Sequence, residues 1–422
     1  MAINGAAVRD TYESLGPVRF VHHTREMLGL ENPATGGRYY NLRTDLPCLG
    51  PQTIRPESVS IRDLAESLFG SSEQEIRRGL AGVGGHVDLI EAGGTSEVPS
   101  QFANISAFNS TVAGLLEAKI LEVWNRPAYI GDQLTKTVPS KKRSEKFIGI
   151  STMGDEALER KPAQPHARAH LSERYVTTPD TTNYGMAIEV TREAVMFDLT
   201  TQLLSQAERI TEVLATRKEY RIIDCVLGIT NTYTYNGTAY STYVASGGNW
   251  VNIVASNPLA DWTDVDNALF LFSTMTDQEK SEPIDIAGFQ VLVMPAKQMT
   301  ANYLFNSTGL EFGAVATGTH VGTNPLRQFP FQLLPVSPRV YARAIATDGL
   351  ALSAANAKGL WYIGDFPKAF CYVENLPLHV ERAVPGSFAM ADNGLVLAVF
   401  VDEMGTPGVL EPRYVVKSKN EA

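Results

Sequence analysis

A chain of 422 residues exceeds what one hydrophobic core holds, about 250 to 300 residues, so two or three structural units are expected. Hydrophobic residues make up 44% and charged residues 19% of it, a balance that excludes wholesale disorder. The formal net charge of −10 excludes a protein held to DNA by clustered Lys and Arg, while leaving room for a surface that tolerates nucleic acid.

Residues 1–105 are rich in Gly, Pro and Ser. The opening MAINGAAVRDTYESLG lacks the basic-then-apolar layout of a secretory signal, and a cytoplasmic origin is expected. Within this segment VSIRDLAESLFG (59–70) sets Ile61, Leu64, Ala65 and Leu68 at helical spacing behind a Ser60 cap, and QEIRRGLAGVG (74–84) is a second short helix. Glycine clusters at 82–85 and 93–94 mark a linker. The segment reads as short amphipathic helices on a flexible connector. Cys48, Cys225 and Cys371 are few, distant and odd in number, which predicts free, buried thiols.

Residues 106–126 place Val112, Leu115, Leu116, Ile120 and Val123 on one helix face, ended by Pro127. Next come about fifty residues whose ends, FIGIST and YGMAIEV, predict the two strands of a long hairpin. Its tip is LERKPAQPHARAHLSER (158–174). The strongest helical signal follows at 192–227, where Leu199, Leu203, Ala207, Ile210 and Leu214 form a stripe and Gly228 a stop; such a helix would span roughly 50 Å. Residues 229–257 read as turns and exposed strands, 261–278 as a helix capped by Asp261, and GFQVLVMP (288–295) as a buried strand before another helix. QLLPVSP, VYARAIA, LWYIGDF, FCYVENLPLHVERA, LVLAVFVDEM and PRYVVKS predict strands of an antiparallel sheet, with Leu376, Leu378 and Val380 on one face and Pro377, His379 and Glu381 on the other. The longest apolar run, Leu395 to Val401, is far short of the ~18 to 20 residues that cross a bilayer. The fold class is α+β.

No catalytic, cofactor or metal site is expected. His166 and His170 are four apart, as zinc ligands on a helix are. Ala, Arg and Ala stand between them, Pro162 and Pro165 discourage a helix, and Arg168 repels a cation. GISTMG (149–154) has one residue too many for a nucleophile elbow. ATGTHVGTN (316–324) lacks the ending of a phosphate loop and reads as a mobile surface loop. PSKKRSEK (139–146) carries four basic residues; on an acidic protein they read as an interface for another copy's acidic surface, against the plainer alternative of a solvated hairpin base.

The order of elements, a short arm, a helix, a long charged hairpin, a very long helix, an α/β unit and closing strands, resembles the major capsid proteins of tailed bacteriophages, the Hong Kong 97-type fold, over roughly residues 105–420. The stretches that carry the resemblance are YGMAIEVTREAVMFD, IAGFQVLVMPAKQMTANYLFNST, LWYIGDFPKAFCYVENLPLHVERA and DNGLVLAVFVDEMGTPGVLEPRYVVK. The resemblance implies an N-terminal extension at 1–105 that can act as a removable scaffold, an N-arm helix region at 106–144 and an extended loop at 145–185. It further implies a spine helix within 186–228, an axial domain at 229–345, and peripheral strands returning to the axial domain at 346–422. It also implies hexamers and pentamers of this chain in an icosahedral virion shell assembled in the bacterial host cytoplasm. Portal, scaffold or protease, and decoration proteins are then partners, packaged double-stranded DNA lies nearby, and no membrane is involved. On this reading Arg160, Lys161, His166, Arg168, His170 and Arg174 contact a neighbouring subunit. A Lys161–Asn393 isopeptide bond between subunits cannot be aligned to the family's crosslink. The rival readings are an encapsulin-like cargo compartment, which keeps the fold, and an α+β enzyme, which the seven scattered histidines do not support.

Overall fold

The computed structural model of the chain describes residues 5–35, 37–39, 48–70, 72–81, 98–125, 129–148, 175–231, 233–247, 250–276, 284, 286, 288–315, 318–383 and 394–421. The chain forms two units, one of Met1–Pro127, Asn183–Thr216 and Leu376–Met404, the other of Ala128–Thr182, Arg217–Asn375 and Gly405–Ala422.

In the first unit the helix Val98–Trp124 is covered all round between residues 107 and 121. Every residue from 107 to 121 is buried, where the sequence pattern predicts one buried face. Its apolar side chains Phe108, Val112, Leu115 and Ile120 are at most 1% exposed. The cover comes from the helices Gly5–Met27, Ile61–Phe69 and Glu73–Ala81 and from strand residues Ile188, Val190, Val396 and Val399. Residues 5–81 are thus not helices on a loose connector; their apolar faces finish this core. Ser60 caps Ile61–Phe69 as its sequence predicts, accepting the Asp63 N–H. The helix Gly5–Met27 has no apolar stripe to betray it and bends at Gly16 (φ 74) before Pro17.

Polar residues on the same central helix find partners in the cover. Glu117 pairs with Arg25 at 3.1 Å and Arg38 at 3.2 Å, and Lys119 with Glu57 at 2.7 Å. The Lys119 ammonium holds the Glu57 carboxyl below its ordinary range. Burial pushes Glu31 up, but His22 and Arg25 outweigh it and the net shift is downward.

The helix expected at 192–227 is broken. A short helix, Arg192–Met196, precedes Thr200–Leu227, and Asp198 between them has φ 51. The break is held by the Thr200 hydroxyl, which donates to Asp198 at 2.6 Å while accepting the Ile61 N–H at 2.9 Å. The 28-residue helix still rises about 42 Å. Gly228 follows at φ 78, the left-handed stop its sequence predicts.

The second unit is built on a five-stranded sheet in the order Phe331–Leu333, Phe289–Val293, Trp361–Gly364, Val415–Ser418, Ile253–Val254. The two outer pairs are parallel and the inner pairs antiparallel, so the closing strands enter mixed pairings, not one antiparallel sheet. Alternation sorts the side chains. Val291, Val293, Trp361, Ile363 and Val416 share a core with the helices Trp262–Thr274 and Gln298–Asn306. Leu292, Tyr362 and Val415 face another, with Ile222, Val226 and Val340. Asp261 caps its helix by accepting the Thr263 N–H, as expected.

Two local readings are corrected. VYARAIA lies in a helix, Pro338–Ile345, with Ser337 accepting the Arg339 N–H and Val340 and Ala344 buried one turn apart. Part of ATGTHVGTN is the strand Gly318–Thr323, antiparallel to Gly309–Val315. A second sheet runs in the order Lys136–Pro139, Phe370–Ala383, Leu395–Val409, Thr182–Thr191.

Glu219 is 2% exposed and accepts the backbone N–H groups of Ile130 and Gly131 at 3.0 and 2.9 Å. Burial pushes its pKa up against those two bonds. A Cβ on residue 131 would stand 2.8 Å from both the Glu219 carboxylate and the Ile222 side chain, so any larger residue there would push them aside. Glu219→Ala leaves both donors without an acceptor and is expected to cost about 2 to 4 kcal/mol, read from denaturant melts; an unchanged midpoint would show that the carboxylate does not hold this turn. Depressed carboxyl pKa values contribute stability above the ordinary value of 4.5 and lose it as pH falls through the folded values. Hydrogen-exchange protection of the helix Gly5–Met27 is therefore expected to fall as the pH drops from ~5 to below ~4.

Candidate assembly site

Arg160, Lys161, His166, Arg168, His170 and Arg174 lie outside the described residues, as do GISTMG and Asn393. What the structure does describe is the pair of strands flanking residues 149–174, the root of the expected loop. The outgoing strand is Lys146–Ile148. The returning strand is Tyr175–Thr177, not YGMAIEV, and the register pairs Lys146 with Thr177, Phe147 with Val176 and Ile148 with Tyr175. YGMAIEV lies instead in Thr182–Thr191, whose Ile188 and Val190 are drawn into the core of the first unit.

The root is anchored by apolar burial on one side and stitched by hydrogen bonds on the other. Val176, 2% exposed, sits beside Tyr235, and the next strand brings Tyr240. Tyr233, Tyr240 and Trp250 pack with ring centroids 5.5 to 6.2 Å apart. Tyr233 is buried, contrary to the exposed strands expected at 229–257, and desolvation pushes its phenol far up. Thr178 closes the root: its N–H donates to the Glu145 carbonyl at 3.0 Å, and its hydroxyl accepts the Glu145 N–H at 2.9 Å. The Ser144 hydroxyl donates to the Thr178 carbonyl at 2.7 Å, and the Asn375 amide to the Lys142 carbonyl at 2.6 Å.

The basic run 139–146 is occupied within its own subunit. Lys142 lies 3.3 Å from Glu145, Arg143 lies 2.9 Å from Asp180, and Lys146 stands 4.5 Å over the Tyr175 ring. Arg143 is 81% exposed along its side chain, and surface pairs of this kind contribute little to stability. Such exposed charges can exchange partners at low cost.

The first unit also carries a cleft of about 570 Å³ lined by Arg62, Arg77, Arg192, Glu73, Glu193 and Phe197. Arg62 pairs with Glu66 at 2.9 Å and Arg77 with Glu73 at 2.7 Å, so its charges largely cancel, and no side chain in that lining is a hydroxyl, thiol or imidazole. Among the described residues no group of three or more His, Cys, Asp or Glu could hold a metal ion, and no helix is long and apolar enough to cross a membrane. The three cysteines are free, and Cys225 and Cys371 are buried. Burial pushes the Cys371 thiol up to about 12.

A family model described as phage capsid protein matches residues 174–418, more than half of the 422-residue chain. The chain belongs to the phage capsid protein family. It is a major capsid protein, a structural component of the phage head, with an α+β architecture. Several solved structures are similar at lower levels. The capsid of a native GTA particle is 16% identical with a TM-score of 0.43, covering 71% of this chain and 91% of that one. A virus-like particle from Pyrococcus furiosus is 13% identical with a TM-score of 0.39, covering 72% and 97%. The capsid of cyanophage P-SCSP1u is 17% identical with a TM-score of 0.38, covering 70% and 88%. At those scores the assignment rests on the family match. No curated protein shows detectable sequence similarity to the chain.

Sequence reasoning misses the residues that build the root of this capsid protein's loop. Thr178 and Glu145 are 33 positions apart, and Asn375 and Lys142 are 233 apart, so no local pattern links them. The double substitution Lys142→Ala with Arg143→Ala is expected to change unfolding free energy by less than about 1 kcal/mol. Thr178→Val, which keeps the volume but removes the hydroxyl, is expected to cost about 1 to 3 kcal/mol. Equal effects in urea melts would mean that the charges, and not the hydroxyl, hold the root.

Proposed function

We propose that this capsid protein is the shell-forming subunit of a tailed double-stranded DNA phage head with the Hong Kong 97-type fold. Copies associate as hexamers and pentamers and close into an icosahedral shell within the host cytoplasm. In this reading residues 145–185 are the extended loop lying over a neighbour, 186–228 contain the spine helix, 229–345 form the axial domain and 346–422 the peripheral and returning strands. Residues 106–144 are the N-arm region and 1–105 an N-terminal extension. The protein has no catalytic role.

The family match is the observation that carries the reading, because it begins at the return of the loop and runs through the long helix to the last strand. The rest is physical logic. A shell needs many separate, modest contacts per subunit, which are individually reversible and jointly stable on a closed lattice. Reaching elements on a firm root supply such contacts, and a net charge of −10 keeps the lining from gripping a genome that must leave. Arg160, Lys161, Arg168 and Arg174, with His166 and His170, are the proposed contacts to a neighbour's acidic surface.

Expression of the protein alone, followed by negative-stain microscopy, is expected to yield capsomer rings or closed shells; discrete monomers or dimers under all conditions would sink the reading. Replacing Arg160, Lys161, Arg168 and Arg174 together by Ser is expected to weaken assembly at moderate salt while the melting profile of the subunit stays unchanged, because exposed ionic contacts are screened. Undiminished assembly would place the interface elsewhere.

A further inference from the structure

Residues 5–81 precede the stretch matched by the family model, and the question they raise is whether they leave the subunit or stay. A segment that is to be removed must rest on a surface that the remainder of the chain can expose to water. The surface under this one is not of that kind.

Phe20, Leu28, Leu30, Ile61, Leu64 and Leu80 are each at most 5% exposed, and they share one continuous core with Leu115 and Ile120 of the central helix and with Val396 and Val399 of the sheet. Taking them away would open a contiguous apolar face along Val98–Trp124, the kind of patch that soluble proteins avoid. The charged residues beneath the segment are arranged for it as well. Glu117, whose side chain is 8% exposed, has Arg25 and Arg38 as its ion partners. Lys119, 10% exposed, pairs with Glu57 at 2.7 Å and only more distantly, at 3.4 Å, with Glu122 of its own helix. Charges are kept this deep only when paired, and the pairing is supplied from residues 25–57.

The segment also reaches the long helix. Ile61 donates its N–H to Thr200, the residue that closes the break at Asp198, and Arg62 donates to the Met196 carbonyl at 3.1 Å. The start of the longest helix is therefore set partly by residues from the N-terminal cover.

From these contacts we infer that residues 5–81 stay bound to the subunit in the finished shell, as a permanent cover of the helix Val98–Trp124, and are not shed as scaffold. The inference rests on the capsid reading, and its test is chosen to fail separately from it. Genome-filled particles would be purified from a lysed host culture and digested, and peptides from residues 5–81 would be quantified against peptides from 200–227 with isotope-labelled standards. Equimolar recovery is expected, whether or not the backbone has been nicked. Loss of the N-terminal peptides from particles that retain the 200–227 peptides would overturn the inference while leaving the capsid reading intact; absence of both sets would count against the capsid reading itself. A second measurement uses the isolated chain. A variant lacking residues 1–97 is expected to aggregate or to bind a hydrophobic dye and melt without a cooperative transition. A soluble truncated chain that melts as sharply as the full chain and builds the same shells would equally overturn the inference.

Discussion

The helix Thr200–Leu227 has to satisfy two different cores. Its first half gives Leu203, Leu204, Ala207 and Leu214 to the core of the first unit, and its last turns give Ile222, Ile223, Val226 and Leu227 to a core of the second. In a folded protein most of a helix's stability comes from the packing of its apolar residues. Both ends are accordingly fixed by specific devices. At one end the Thr200 hydroxyl ties the preceding turn, and at the other Gly228 releases the chain in a conformation that few other residues adopt.

Three of the buried charges are handled in the same way. Glu117, Lys119 and Glu219 lie inside the protein, and each faces partners from a distant part of the chain: Arg25 and Arg38, Glu57, or the backbone of Ile130 and Gly131. By contrast the charges at the loop root are exposed and paired with near neighbours in space that water could replace. Inside the fold, charge specifies how segments dock. Outside it, charge stays available.

How much could be read beforehand depends on whether the physics was local. Caps are local, so Ser60 and Asp261 announce their helices, and the long stripe through Leu203 and Leu214 announces the dominant one. The α+β class and the alternation at Leu378, His379 and Glu381 were legible for the same reason. VYARAIA shows the limit: its apparent period of two outweighed the helix-start signal in Ser337 and Pro338. The return strand of the hairpin was misplaced because Tyr175–Thr177 is three residues long, too short to show any period. Nothing in residues 5–27 marks a helix that packs on a core, since much of its cover comes from the helix Val98–Trp124 far along the chain. The loop root was illegible because its hydrogen bonds span up to 233 positions, and the resemblance to phage capsid proteins supplied the functional context that spacing alone did not.

The state of the sulfur has a consequence for how the fold meets oxidants. Cys225 and Cys371 are enclosed and unbridged, and the Cys371 thiol is held at about 12 by desolvation, far from the thiolate that oxidants attack. The fold therefore draws no covalent support from redox chemistry and offers these two buried sulfurs little to lose to it. Its strength comes from packing and paired charge, which are the same in reducing and oxidising surroundings.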